Sequence, residues 1–315
     1  MHHLRQCTID DDQRLAEDTV VIDESVDHLD GGDVLVSHRF SPYPAFTGRA
    51  RTYDGHVDVV GKHIVMTGAA GGIGSAIARS LHAAGANVVV SDLDGADDVA
   101  ADLPGAFSVA ADISTEPGNI ALIDAAESHF GPIDLFFANA GVGTGQDPMS
   151  DESLWNLSFD VNFHAHRWAA RRLLPGWLDR GEGYFCSTAS AAGLLAQIGS
   201  APYSVTKHAA VGFAEWLSIT YGDRGLKVSC LCPQGVNTNM VKVADDQFAS
   251  GSVVRQVAAI LEPEEVAEMV LEAIGDERFL ILPHAEVSDY MALRGADHGR
   301  WLGGMRKLNR RITGV

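Results

Sequence analysis

Tyr203 and Lys207 stand four residues apart in Tyr203-Ser-Val-Thr-Lys207, and Ser190 lies thirteen positions before the tyrosine in Ser187-Thr-Ala-Ser-Ala-Ala-Gly193. Residues four apart share one face of a helix, so a phenol and an ammonium can point into one pocket. Ser200 and Pro202 suit the start of that helix. A phenol with its ordinary pKa of about 10 is a poor base at neutral pH, but neighbouring cations, Lys207 and a cationic ring bound beside it, favour phenolate and lower that value. The chemistry within reach is then proton exchange with a substrate hydroxyl at Tyr203, while Ser190 holds and polarises the same oxygen. A Tyr-x-x-x-Lys on its own is most often a surface pair, so its weight comes from what lies upstream.

Upstream, Lys62-His-Ile-Val-Met-Thr-Gly-Ala-Ala-Gly-Gly-Ile-Gly74 runs an apolar strand into clustered glycines and then into a helix-like segment. That is the local architecture of a dinucleotide phosphate site. Glycines turn the chain sharply and let a pyrophosphate approach main-chain N–H groups at the positive end of a helix. The spacing is Gly68-x-x-x-Gly72-x-Gly74 rather than G-x-G-x-x-G. Asp92 closes the next apolar run, about 20 residues beyond the glycines, where a carboxylate accepts hydrogen bonds from the adenosine ribose and repels a 2′-phosphate. No Arg or Lys occurs in 67–74 or 91–95 to receive that phosphate, which favours NAD over NADP.

Taken in order across residues 57 to about 283, these motifs resemble the short-chain dehydrogenase/reductase family, single-domain nicotinamide enzymes. The resemblance implies that Gly68, Gly72, Ile73 and Gly74 hold the dinucleotide and that Asp112, with Ile113, contacts adenine. It implies that Asn139, in Asn139-Ala-Gly141, supports the sheet beside the cofactor. Asn162, in Asp160-Val-Asn-Phe163, matches the family's helix asparagine that holds a water for proton relay; an interhelical hydrogen bond is the other reading. The implied catalytic set is therefore Ser190, Tyr203, Lys207 and Asn162, with Lys207 also fixing the nicotinamide ribose. Pro233, Val236 and Thr238 fall where the family has Pro-Gly-x-Val-x-Thr beside the nicotinamide. Gln234 departs from it, standing at the usual glycine with Gly235 following.

The elements that must position these residues are legible from Val57 onward. Short apolar strands alternate with amphipathic helices, which predicts an α/β fold: a Rossmann-like doubly wound, seven-stranded parallel sheet with helices on both faces. The strands read are 63–67, 87–91, 106–110, 133–138, 183–187, 227–231 and 279–282. One helix spans 73–84 with Gly85 at its end, and another opens at Pro263 with Glu264 and Glu265 at the positive end of its dipole and runs to near Ile274. In such a sheet the ligand lies beyond the carboxyl ends of the strands, and the candidate residues do follow strands. Residues 1–56 lack the repeating pattern and read as an N-terminal extension, an interaction arm, a flexible tail or the product of a start assigned too far upstream, ahead of an NAD-binding catalytic domain at 57–315. By analogy with the family's variable lid, 239–256 and part of 284–305 close over substrate. Met240, Val241, Val243, Phe248, Tyr290, Met291 and Trp301 make these segments apolar, which suits a lipophilic secondary alcohol or ketone.

At 315 residues and 46% hydrophobic content, the chain is long enough for one large domain with a sizeable core. A formal charge of −19 argues against nucleic acid or an anionic membrane as partner. The basic residues at 294–311 read as the solvated face of a terminal helix. Of four cysteines, Cys186, Cys230 and Cys232 lie in apparent core strands, and with Cys7 they give no disulfide framework or zinc spacing. No signal-like run or membrane-spanning stretch is present, so a cytoplasmic protein is expected. The family analogy adds a homotetramer or homodimer through helices around 151–178 and 203–222. Three functions are open: an NAD-linked alcohol dehydrogenase; an NADPH-linked carbonyl or 3-oxoacyl reductase, whose usual basic residue is missing from Ala69-Ala-Gly71; and a non-catalytic NAD-binding regulatory protein, against which Ser190, Tyr203 and Lys207 weigh.

Overall fold

Strand β1 (His63–Thr67) is buried along its whole length, and its side chains divide between two cores, Ile64 and Met66 on one face of the sheet and Val65 on the other. Successive side chains of a strand point to opposite faces, so a strand covered on both faces reads as a continuous apolar run rather than an alternating one. The computed structural model describes residues 58–240 and 259–314. The extension assigned to 1–56, and all of the 239–256 lid except Asn239 and Met240, lie outside the described residues.

Chain order continues with α1 (Gly72–Ala83), β2 (Asn87–Asp92), α2 (Ala96–Ala101), β3 (Phe107–Ala110), α3 (Glu116–Phe130) and β4 (Leu135–Ala138). Next come α4 (Glu152–Phe159), a π-turn at Asp160–His164, α5 (Ala165–Arg180), β5 (Gly183–Thr188), α6 (Ala192–Leu195), α7 (Ala201–Tyr221) and β6 (Leu226–Leu231). After α8 (Pro263–Gly275) and β7 (Leu280–Ile281), two helices end the described chain, α9 (Glu286–Ala296) and α10 (His298–Thr313). Among the described residues the strands form one seven-stranded sheet in the order β3-β2-β1-β4-β5-β6-β7, parallel throughout. Ile77 and Leu81 of α1 and Val266, Val270 and Ile274 of α8 join the first core. Leu122 and Ile123 of α3, Leu173 and Trp177 of α5 and Leu217 of α7 join the second. The doubly wound architecture expected from the alternating pattern is the one found.

The differences from expectation lie at element ends and have local causes. β4 begins at Leu135 rather than Ile133, because the Ile133 carbonyl is taken by Trp177 Nε1 and Arg180 Nη2, each at 2.8 Å. β3 begins at Phe107, since Ala106 N closes a turn onto Leu103 O at 2.9 Å. Ser200 does sit at the cap of α7, but its hydroxyl donates to Gly145 O at 3.2 Å instead of capping the helix. Helix α8 starts as expected, with Glu265 reaching back to Glu262 N at 2.8 Å.

Candidate active site

The sheet's strand order reverses direction between β1 and β4, and the candidate residues gather at the carboxyl ends of the strands around that point, as the doubly wound fold requires. Two glycines there are forced by close approach. Gly68 has φ +65°, and a Cβ on it would lie 2.7 Å from Ala140 Cα; one on Gly74 would lie 2.1 Å from Gly68 O. The loop is thus pressed against the β4 end and leaves the start of α1 open. No acidic side chain sits in the first turn of α1, so its positive end is available to an anion.

Asn139 ties three strand ends together. Its Nδ2 donates to Thr67 O (3.0 Å) and Gly68 O (3.2 Å), and its Oδ1 accepts from Thr188 Oγ1 (3.0 Å). Thr67 returns the interaction, its hydroxyl accepting from the main-chain N–H groups of Asn139 and Ala140 at 3.0 and 3.1 Å. Asp92 ends β2 with Oδ2 accepting from Ala70 N at 3.0 Å and Oδ1 from Leu93 N at 2.8 Å. The carboxylate is held against the glycine loop, with lone pairs left for a hydroxyl donor. Asp112 is spent locally, its Oδ1 accepting from Ser114 N and Oγ at 3.0 and 2.6 Å ahead of α3.

Ser190, Tyr203 and Lys207 converge. The Tyr203 phenol hydrogen-bonds the Ser190 hydroxyl, and Ser190 Oγ also accepts from Ala192 N at 3.1 Å. Lys207, only 2% exposed, donates from Nζ to Thr188 O at 2.9 Å and lies 5.6 Å from the centre of the Tyr203 ring. Burial lowers the lysine to about 8, since an ammonium loses its hydration in the pocket. The same loss of water raises the Tyr203 phenol, with the Ser190 hydrogen bond opposing. Among the chain's own residues, desolvation is therefore the larger effect on the phenol.

Asn162 lies in the π-turn and is fully buried. Its Oδ1 accepts from Val142 N at 2.8 Å, while Nδ2 donates to Val142 O at 2.9 Å and Thr206 Oγ1 at 3.1 Å. The side chain clamps the loop after β4 to α7. After β6, Pro233 O accepts from Ala191 N at 2.9 Å, and Val236 is buried. At Gln234, the family's glycine position, the main-chain N–H donates to His284 Nδ1 at 3.2 Å while His284 Nε2 donates to Ala259 O at 3.1 Å; the glutamine's own Oε1 is buried without a hydrogen-bond partner among the described residues. Sequence reading missed Thr188, Thr206 and His284. Thr188 was findable as the residue at the end of β5; the other two carry no local signal.

One cavity of about 1550 Å³ joins these parts, lined by Gly68, Gly72, Ile73, Gly74, Asp92, Asp112, Ile113 and Asn139 on one side. Ser190, Tyr203, Lys207, Pro233, Val236 and Thr238 line it further along. Asn162 is not among the lining residues, whereas Val142, which it holds, is. The volume exceeds the ~300–1,000 Å³ of an ordinary single-ligand pocket, so two ligands fit side by side. Among the described residues no His, Cys, Asp or Glu cluster is built to hold a metal. The open helix N-terminus, the glycine approach and the ribose-height carboxylate fit a dinucleotide. The far end supplies a donor, a phenol and a cation for a hydroxyl or carbonyl oxygen.

Comparison with known proteins agrees. Residues 62–248 match the family described as short chain dehydrogenase. The chain is 34% identical over 232 residues to the 1-deoxy-11-beta-hydroxypentalenate dehydrogenase of Streptomyces exfoliatus, covering 70% of this chain and 82% of that protein. It is 30% identical to human epidermal retinol dehydrogenase 2, covering 72% and 75% respectively. The crystal structure of a short chain dehydrogenase/reductase from Burkholderia phymatum in complex with NAD superposes with a TM-score of 0.69 at 31% identity, covering 76% of this chain and 95% of that one. With its seven-stranded parallel sheet and its glycine loop, this chain belongs to the short-chain dehydrogenase family.

Proposed function

We propose that this protein oxidises a lipophilic secondary alcohol to its ketone, or runs the reverse, with NAD as the preferred cofactor. The observation that carries the reading is the Tyr203 phenol hydrogen-bonded to Ser190, beside buried Lys207, in a cavity shared with the glycine loop and Asp92. The relatives are by name dehydrogenases of a hydroxypentalenate and of retinol, which supports an alcohol as substrate.

A bound nicotinamide dinucleotide supplies the two-electron acceptor, and the chain's own residues do the rest. The open N-terminus of α1 receives the pyrophosphate, and Asp92 accepts from the ribose hydroxyls. Ser190 holds the substrate oxygen, and Tyr203, as phenolate, takes the hydroxyl proton at Oη while the carbinol carbon gives up its hydride. In the reverse direction Tyr203 returns that proton to the oxygen. Lys207 sets the positive potential of the pocket, and an added positive charge beside Tyr203 pulls its raised phenol back toward phenolate. Apolar Leu195, Ile198, Tyr290 and Trp301 in the same cavity favour a lipophilic body.

Self-association through α4, α5 and α7 belongs to the same reading. Trp216 (52% exposed) and Ile219 (84%) of α7, with Leu154 of α4, present large apolar groups on those helices. The test of the activity is an absorbance screen at 340 nm of secondary alcohols and ketones with NAD(H) and NADP(H). NAD-linked turnover by the parent that disappears in Tyr203→Phe supports the assignment. Turnover that survives in Tyr203→Phe, or strict dependence on NADP, refutes its corresponding part.

A further inference from the structure

Helix α10 carries five cations, Arg300, Arg306, Lys307, Arg310 and Arg311, and no Asp or Glu within its span, in a chain of formal charge −19. They do not share one face. At 3.6 residues per turn, Trp301, Met305, Leu308 and Ile312 form an apolar stripe, Arg300, Gly304 and Arg311 lie along one edge of it, and Arg306 and Arg310 fall opposite. The cavity divides them the same way: Arg300, Trp301, Gly304, Met305, Leu308 and Arg311 line it, whereas Arg306, Lys307 and Arg310 do not. All five cations are exposed, as a solvated basic face requires, but only Arg300 and Arg311 also border the cavity.

The placement of α10 is set by its neighbour. Arg294 of α9 hydrogen-bonds Leu194 O in α6, and Tyr290 of α9 meets Trp301 of α10 with ring centres 6.2 Å apart. Several arginines elsewhere find carboxylates, Arg79 with Asp102, Arg172 with Asp124 and Glu127, and Arg278 with Glu272 and Asp276, while Arg180 takes the Ile133 carbonyl and Arg167 and Arg224 lie over aromatic rings. Among the described residues the guanidiniums of Arg300 and Arg311 have no ion-pair or hydrogen-bond partner. The carboxylates that line the cavity, Asp92 and Asp112, belong to β2 and the loop after β3.

We infer that the substrate is amphipathic: a lipophilic secondary alcohol carrying an anionic group, of the carboxylate class. Its apolar body lies along Trp301, Met305 and Leu308, and its anionic end is received at the cavity rim by the arginines of α10. This rests on the proposed oxidoreduction, because Ser190 and Tyr203 line the same cavity. Arg300 and Arg311 are about 16 Å apart along the helix axis, so one carboxylate meets one of them while the other adds to the field at the rim.

The test separates the two readings. Calorimetric titration of the full chain with decanoate and with methyl decanoate measures the preference for the anion without requiring turnover. Decanoate is expected to bind about fivefold more tightly, the upper end for a solvent-exposed ion pair. The preference should vanish in Arg300→Gln/Arg311→Gln, with one single variant showing most of the loss. It should persist in Arg306→Gln/Arg310→Gln, which removes the same charge from the outer side. Equal binding of acid and ester by the parent, no binding of decanoate, or equal loss in both double variants overturns the inference. A parallel assay compares 9-hydroxydecanoate with its methyl ester in the presence of NAD. A binding preference that follows the rim arginines without any oxidation keeps the anion site and rejects the oxidoreduction; equal oxidation with equal binding does the reverse.

Discussion

Lys207 donates from Nζ to the Thr188 carbonyl at 2.9 Å while standing 5.6 Å from the centre of the Tyr203 ring. The ammonium is anchored to strand β5, not to the phenol it faces. Because burial drives the lysine down to about 8 and the phenol up, the two groups share a desolvated pocket in which added charge shifts both. The anchoring means that either side chain can be altered without releasing the other.

Tyr203→Phe is accordingly expected to abolish turnover, by at least about 10²-fold for loss of an acid/base group, while affinity for the dinucleotide stays near that of the parent. Lys207→Met should weaken both, since it removes the charge and frees the Thr188 carbonyl. Steady-state rates with an oxidised substrate, alongside cofactor titration by fluorescence, read the two quantities separately. Near-normal turnover by Tyr203→Phe would sink the acid/base assignment.

Asn162 is expected to act by position. Asn162→Ala removes three hydrogen bonds, two to half-buried Val142 and one to Thr206, at about 0.5–1.5 kcal/mol each. Stability in urea should fall by about 2 kcal/mol or more, with turnover falling alongside. Asn162→Asp, which keeps the acceptor for Val142 N but loses the donor to Val142 O and Thr206, should be intermediate or worse. Lost turnover at unchanged stability would point instead to a direct part in proton relay.

The parts of the site that were legible in the sequence obey short-range rules. Asp92 closes a strand, Gly68 and Gly74 stand between a strand and a helix, and Tyr203 and Lys207 share a helix face. What escaped depends on distant chain. Asn162 reaches Val142 and Thr206, 20 and 44 positions away, and His284 reaches Gln234 across 50. Spacing told which charge lies near Tyr203 but not how dry its pocket is, so the raising of the phenol by desolvation was not legible. The two faces of α10 needed the angle of the helix, which Arg294 and Trp301 set through contacts no periodicity announces.

Cofactor choice should rest on Asp92, whose carboxylate is fixed by Ala70 N and Leu93 N. NAD is expected to bind at least about tenfold more tightly than NADP, or roughly 1.4 kcal/mol. Asp92→Ala should narrow that gap by weakening NAD and relieving repulsion of a 2′-phosphate. Titrations of both cofactors against both proteins check this; equal affinities in the parent, or a preference untouched in the variant, would mean that Asp92 does not read the ribose.

His166 should make the fold acid-sensitive. It is 1% exposed, Nδ1 lies 3.0 Å from Ser187 Oγ, and Nε2 is buried without a partner. Burial first, and then the Lys207 charge, lower its pKa to about 3. The unfolded chain, with a histidine near 6.5, binds more protons between these values, so the neutral imidazole favours folding fully above about pH 6.5 and progressively less as pH falls toward 3. At pH 5 this one site should have cost the fold about 2 kcal/mol relative to its contribution at neutral pH. His166→Gln removes the titration while retaining a polar side chain facing Ser187. Urea unfolding at pH 7 and pH 5 should therefore show a smaller acid loss in the variant, by about that amount, even if the variant starts less stable at pH 7. An identical loss in both proteins would place the acid sensitivity elsewhere.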